Sequence, residues 1–254
     1  MMDKFSSLAG VRPPRAHSIL GEWRDYAGFL RRPWVPDRAT GPSGRSLLAT
    51  LRLLLLDFAL MAALMAIGGI AYAAGVEFPA NALESLEWTP GVLLLIVLGA
   101  PVMEEVMFRG WLSGRLGHVL ALLVVGIGGA LLSTDIAHSD AGVNVSALTT
   151  VAMILGGVPA LLYSLRHRSP PRWYGTAFPV FFWLSALAFA TIHIWNYPGD
   201  PGPLVFALVI PQLIAGTIFG YARVRYGLWS GILLHALHNG TAVTLALLTT
   251  DMVG

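Results

Sequence analysis

Seven apolar stretches, each long enough to cross a lipid bilayer and separated by short polar turns, dominate this sequence. They lie at residues 47–74, 91–112, 116–133, 143–165, 177–194, 204–221 and 228–248. About 20 apolar residues span the hydrocarbon as a helix, which pairs every backbone N–H and C=O internally where no water can. The stretches are continuous rather than alternating, which argues against a β-barrel. Composition agrees, with 56% hydrophobic and 12% charged residues, the latter half of the roughly 25% usual in soluble domains. The expected fold is all-α, a polytopic membrane bundle of seven transmembrane helices, with six to eight as the range the pattern allows. Residues 1–46 form a basic segment ahead of a single integral domain over 47–254.

Charge distribution predicts how the bundle is threaded. Lys4 and Arg12, Arg15, Arg24, Arg31, Arg32, Arg38, Arg45 and Arg52 precede or open the first stretch. The remaining arginines, 109, 115, 166, 168, 172, 223 and 225, cluster at alternate junctions. The other connections hold only acids, among them Glu77, Glu84, Glu87, Asp135, Asp140 and Asp200. The positive-inside rule then gives a cytoplasmic N-terminus and an external C-terminus in a plasma membrane of bacterial type. An eighth or re-entrant segment would move the C-terminus. Trp88, Trp111, Trp173, Trp195 and Trp229 fall at stretch ends, as interfacial anchors do. The basic segment reads as a lipid-facing tail, not a nucleic-acid arm, and its Pro and Arg content argues against a packed domain. It lacks a short apolar core, so no cleavable signal is expected. The chain has no cysteine, which removes disulfides, thiolate-bound zinc and a cysteine nucleophile.

Ionisable groups inside such stretches are costly and are read as functional by default. Glu104, Glu105 and Arg109 fall within six residues of the second stretch. On a helix, Glu105 and Arg109 are i, i+4 partners able to form an ion pair, while Glu104 points about 100° away, toward a different neighbour. Pro101 is expected to kink the helix just upstream. His193 lies on the fifth stretch, and His235 and Asn239 share a face of the seventh, with His238 turned partly aside. Each alone has a bland reading as polar glue between helices. Together, on three stretches, they suit peptide-bond hydrolysis: a buried carboxylate takes a proton from water, and imidazole and amide groups assist. Asp57, ten residues into the first stretch, reads either as a partner for a histidine or arginine in the bundle or as the mark of a helix that starts outside the bilayer. Gly216 and Gly220, four apart, read as a close helix contact.

Glu104-Glu105-x-x-x-Arg109, Phe189-x-x-x-His193 and His235-x-x-x-Asn239 resemble the three ordered motifs of the CAAX-processing and bacteriocin-processing intramembrane proteases, the CPBP or type II CAAX prenyl protease family. The run from Gly220 through Arg223, Arg225 and Trp229 to Ser230 is similar to the family's approach to its last motif. The resemblance covers about residues 91–248. It implies a glutamate-dependent endopeptidase acting on membrane-embedded or lipidated, including prenylated, peptides. Glu104 would be the general base and His193 its partner for water. His235 and Asn239 would help hold the oxyanion, with Glu105 and Arg109 in support. The implied enzyme needs no metal or other cofactor. Spacing alone leaves zinc open, with Glu104, His193 and His235 as one oxygen and two nitrogen ligands around an open position.

Other membrane-protease signatures fail. There is no His-Glu-x-x-His and no Gly-x-Gly-Asp, and Gly41-Pro-Ser43-Gly44 lies ahead of the first stretch. The rival classes are a proton-coupled transporter, because buried Glu and His also relay protons, and a non-catalytic scaffold. One geometric conflict stands. His235 lies roughly 10 Å into its helix from the cytoplasmic end and His193 roughly 24 Å into its own. The expectation is that the fifth boundary, near Pro179, is misplaced or the helix tilted.

Overall fold

Backbone left unpaired in hydrocarbon is costly enough that each apolar stretch should close on itself as a helix. The computed structural model describes residues 18–137, 145–199 and 202–253, and among these no strand occurs. The first 17 residues, the start of the fourth stretch, Asp140 and Asp200 lie outside the described residues. The helices are α1 (Ile19–Arg31), α2 (Gly44–Ala73), α3 (Pro90–Ser113), α4 (Leu116–Ala137), α5 (Ser146–Ser164), α6 (Arg172–Asn196), α7 (Gly202–Tyr226) and α8 (Leu228–Val253). Seven of them, α2 to α8, are long and apolar enough to cross a membrane. Large apolar side chains such as Met65, Ile70, Leu98, Leu155 and Leu184 stay on the outside, where lipid contact requires them.

α7 is the central helix. Half of its apolar window is buried, the largest share of any span, and α1, α2, α6 and α8 all pack on it. Small residues allow this. A methyl group at Gly216 would sit 3.0 Å from the Phe189 ring, and one at Gly220 would sit 2.9 Å from Phe182. The expected close contact is therefore real, and it is where the α6 aromatic rings lie on α7.

Hydrogen bonds gather the basic junctions at one end of the bundle. Arg115 Nη1 donates to the Arg166 carbonyl, and the Thr40 N–H donates to the Arg225 carbonyl. The tail was expected to be loose, yet part of it is built into this end. In α1, capped by Ser18, Phe29 packs edge-on to Phe182 and Tyr221, and Tyr26 bonds Thr217 at 2.6 Å. The reason is periodicity. Glu22, Tyr26 and Phe29 recur at i, i+4, i+7, so one face is buried in spite of the surrounding Arg and Pro.

Two prolines leave the same local signature. Leu95–Gly99, ahead of Pro101, and Met153–Gly157, ahead of Pro159, are wound with the wider i→i+5 pattern. In the first of these, the Ala100 N–H is taken by Leu95, and the next donor in register would be Pro101, which has none. The Ile96 carbonyl is thereby released from the helix, and Asn239 Nδ2 donates to it at 2.9 Å.

The fifth and sixth spans begin or end about one turn beyond the expected limits, at Arg172 and Tyr226. An earlier start for α6 deepens the mismatch between His193 and His235, so the boundary was not its cause. Packing nonetheless brings the two residues to one cavity, with α6 held on α3 by Tyr174 Oη and Ser185 Oγ, which donate to the Trp111 and Phe108 carbonyls.

Candidate active site

The three motifs meet between α3, α6, α7 and α8. Glu105 and Arg109 are fully buried and bonded at 2.6 Å between Oε1 and Nη1. The guanidinium lies 3.9 Å over the Phe189 ring, and Nη2 reaches the Gly216 carbonyl at 3.5 Å. Glu105 Oε1 also faces His235 Nδ1 at 3.1 Å. One carboxylate oxygen, Glu105 Oε1, serves both an arginine and a histidine, while Glu105 Oε2 and Arg109 Nε are buried without a hydrogen-bond partner. Close packing permits it. Gly231 of α8 comes so near that a methyl group there would lie 2.8 Å from Glu105 Oε2.

Glu104 is not directed to a different neighbour. Its Oε2 lies 3.8 Å from Nε2 of the same His235, so the two adjacent carboxylates flank opposite nitrogens of one ring. That ring stacks on Phe219 at 4.7 Å and meets Phe189 edge-on at 5.6 Å, which fixes its plane. Glu104 Oε2 is buried and has no hydrogen-bond partner.

His193 sits where the α-helical part of α6 tightens into a final turn, His193–Asn196. Its Nδ1 lies 2.6 Å from the Phe189 carbonyl. A carbonyl only accepts, so Nδ1 carries the proton and Nε2 keeps a lone pair. His235 follows the same logic, donating from Nδ1 to the Arg109-paired carboxylate. In their neutral forms, two imidazoles on different helices therefore both present unprotonated Nε2 atoms.

Glu104, His193, His235 and Asn239 line one cavity of about 930 Å³. Its far wall includes Leu83 and Trp88 from the acidic connection and Trp195 at the end of α6, so it runs away from the Arg-rich end. Asn239 shares the His235 face as expected, but one of its amide protons is committed to the carbonyl that Pro101 releases. Among the described residues no three His, Asp or Glu side chains converge closely enough to hold an ion. The zinc arrangement left open by spacing, and the metalloprotease-like reading with it, finds no support among the described residues.

Two wall residues lay outside the expected set. His238, taken as turned aside, lines the cavity, and its Nδ1 is held at 2.6 Å by Oδ2 of the fully buried Asp57. The signal was present in two parts, an acid in the first stretch and a second histidine in the last, but only the packing of α2 on α8 joins them. Gln212 of α7 also lines the cavity, with Oε1 buried and unpartnered. A lone glutamine in an apolar run was its only mark in the sequence.

Seven helices long and apolar enough to cross a membrane, around a buried cluster of carboxylates and imidazoles, define a polytopic membrane protein with a polar site inside the bundle. The chain belongs to the Rce1-like family of type II CAAX prenyl endopeptidases, whose sequence profile matches residues 86–241 and so takes in all three motifs. No characterised protein and no solved structure matches the chain.

Proposed function

We propose that this protein is an intramembrane endopeptidase in which Glu104 activates water against a peptide bond of a membrane-embedded or lipidated substrate. The observation that carries the reading is the pair Glu104 Oε2 and His235 Nε2. They are acceptors 3.8 Å apart on the cavity wall, and the oxygen has no partner. One water at about 2.8 Å from each completes both. As that water attacks the scissile carbonyl, Glu104 takes its proton. Passing the proton to His235 Nε2 creates an imidazolium whose charge is matched by Glu105 at Nδ1. The protonated ring then donates to the oxyanion and afterwards to the leaving amine, giving a carboxylate and an amine as products. The amide proton of Asn239 not bonded to Ile96 is a second donor to the oxyanion. His193, with its Nε2 lone pair set by the Phe189 carbonyl, orients water from the other side.

Arginine placement supports a cytoplasmic N-terminus in a plasma membrane, which would put the cavity mouth at the non-cytoplasmic face. Apolar walls at Ala242, Val243 and Ala246 suit a hydrophobic segment or lipid chain. The test is Glu104→Gln against wild type, in proteoliposomes with quenched-fluorescent membrane-anchored and prenylated peptides. Loss of a general base lowers the rate by about 10²- to 10⁴-fold. Cleavage unaffected by the change would refute the assignment. Proton-coupled uptake lost in the variant, with no cleavage by either form, would favour a carrier.

A further inference from the structure

A second cavity, of about 310 Å³, opens at the Arg-rich end, far along α3 and α7 from the first. Its wall carries Arg38, Arg115, His118 and Arg223, against a single carboxylate, Asp37. Arg223 is only 8% exposed, and its Nε and Nη2 donate to the Arg109 and Gly110 carbonyls at 3.1 and 3.2 Å. Arg115 likewise spends Nη1 and Nη2 on the Arg166 and Asp37 carbonyls. His118 holds Nδ1 at 2.6 Å from Ser113 Oγ, leaving Nε2. Among the described residues, none of these arginines has a carboxylate within ion-pair distance. Carbonyls satisfy the N–H groups but do not neutralise the charge, and clustered cations in a partly buried pocket repel one another. The wall also includes the first turn of α4, a helix of 22 residues whose N-terminus is positive.

We infer that this cavity binds one phosphate group, with guanidinium forks and the α4 terminus supplying the donors. At the membrane surface that phosphate is the headgroup of an anionic lipid, and free phosphate is the other source of the same chemistry. The inference does not depend on the peptidase reading.

Full-length protein in neutral detergent is examined by native mass spectrometry with added phosphatidylglycerol or phosphatidylcholine. In parallel, lipid-free protein is melted in phosphate and in chloride at equal ionic strength. Phosphatidylglycerol should be retained over phosphatidylcholine. Arg115→Gln, or Arg38→Gln at the exposed rim should the first fold poorly, should weaken its retention about tenfold, the scale of one charged hydrogen bond. Arg168→Gln, an exposed arginine at the same end but off this wall, should leave retention unchanged. A melting temperature raised by phosphate, and lost in the same variants, assigns the site to free phosphate as well. Absence of that rise with lipid retained assigns it to the headgroup alone. Equal retention of the two lipids with no phosphate response, or an equal loss in Arg168→Gln, overturns the inference.

Discussion

Replacing Arg109 with methionine tests the electrostatic core of the site most directly. The guanidinium's three closest contacts are the 2.6 Å pair with Glu105, the 3.9 Å face of Phe189 and the 3.5 Å bond to the Gly216 carbonyl. Arg109→Met removes all three and leaves Glu105 buried at zero exposure, with only His235 beside it. Breaking a buried pair from one side costs about 3–5 kcal/mol, and a desolvated cation–π contact about 2 kcal/mol more. The 3.5 Å bond is too long to add much. The expected loss is therefore about 5–7 kcal/mol. Glu105→Gln with Arg109→Met removes both charges while nearly conserving volume, so most of the pair's share should return and leave a deficit near the cation–π share. The assay is a double-mutant cycle on unfolding free energies, from denaturing-detergent titration in mixed micelles. A single-variant loss under about 1 kcal/mol, or a coupling near zero, would show that Glu105 is not held as an ion in the resting site.

Three further outcomes follow from particular contacts. Gly231→Ala places a methyl group 2.8 Å from Glu105 Oε2, so it should destabilise by about 1–3 kcal/mol and slow any hydrolysis that needs His235 aligned; wild-type melting would contradict this. Burial pushes the Glu22 carboxyl above its ordinary value of 4.5, opposed by Tyr226 and Tyr221 donors and by the Arg225 charge. A raised folded-state value favours docking of α1 fully below 4.5 and progressively less as pH rises through the raised value, so the protection of α1 amides, with exchange rates corrected for their intrinsic pH dependence, should fall from acid to neutral pH. Glu22→Gln should flatten that profile, and an unchanged slope would reject the linkage. Because the chain has no cysteine, single cysteines report sidedness cleanly: Glu87→Cys should react with an impermeant maleimide on intact cells and Arg168→Cys only after lysis. The reverse pattern would invert the proposed topology.

Much of the candidate site could be read before any coordinates, because hydrocarbon penalises charge severely. Glu104, Glu105, Arg109, His193, His235 and Asn239 stand out against apolar neighbours, and the i, i+4 pairing of Glu105 with Arg109 is local helix geometry. Asp57 stood out for the same reason, yet its partner 181 residues away could not be named. The role of Asn239 toward Ile96 was hidden as well, since it depends on a widened turn that only the Pro101 context produces. The docking of α1 was missed because arginines and prolines around a short apolar stripe outweigh it in composition.

What the sequence determined by itself is the set of helices, since spanning length and continuous apolarity leave the backbone no other way to pair in lipid. It also determined which polar residues must find partners inside. Which nitrogen meets which carboxylate was decided by the tertiary structure alone, through the packing of α6 on α3, the glycine approaches at 216 and 231, and the placement of α8 between two glutamates on one side and Asp57 on the other. The histidine–carboxylate contacts join residues 130 and 181 positions apart, and their geometry depends on interhelical packing, which has no local signature.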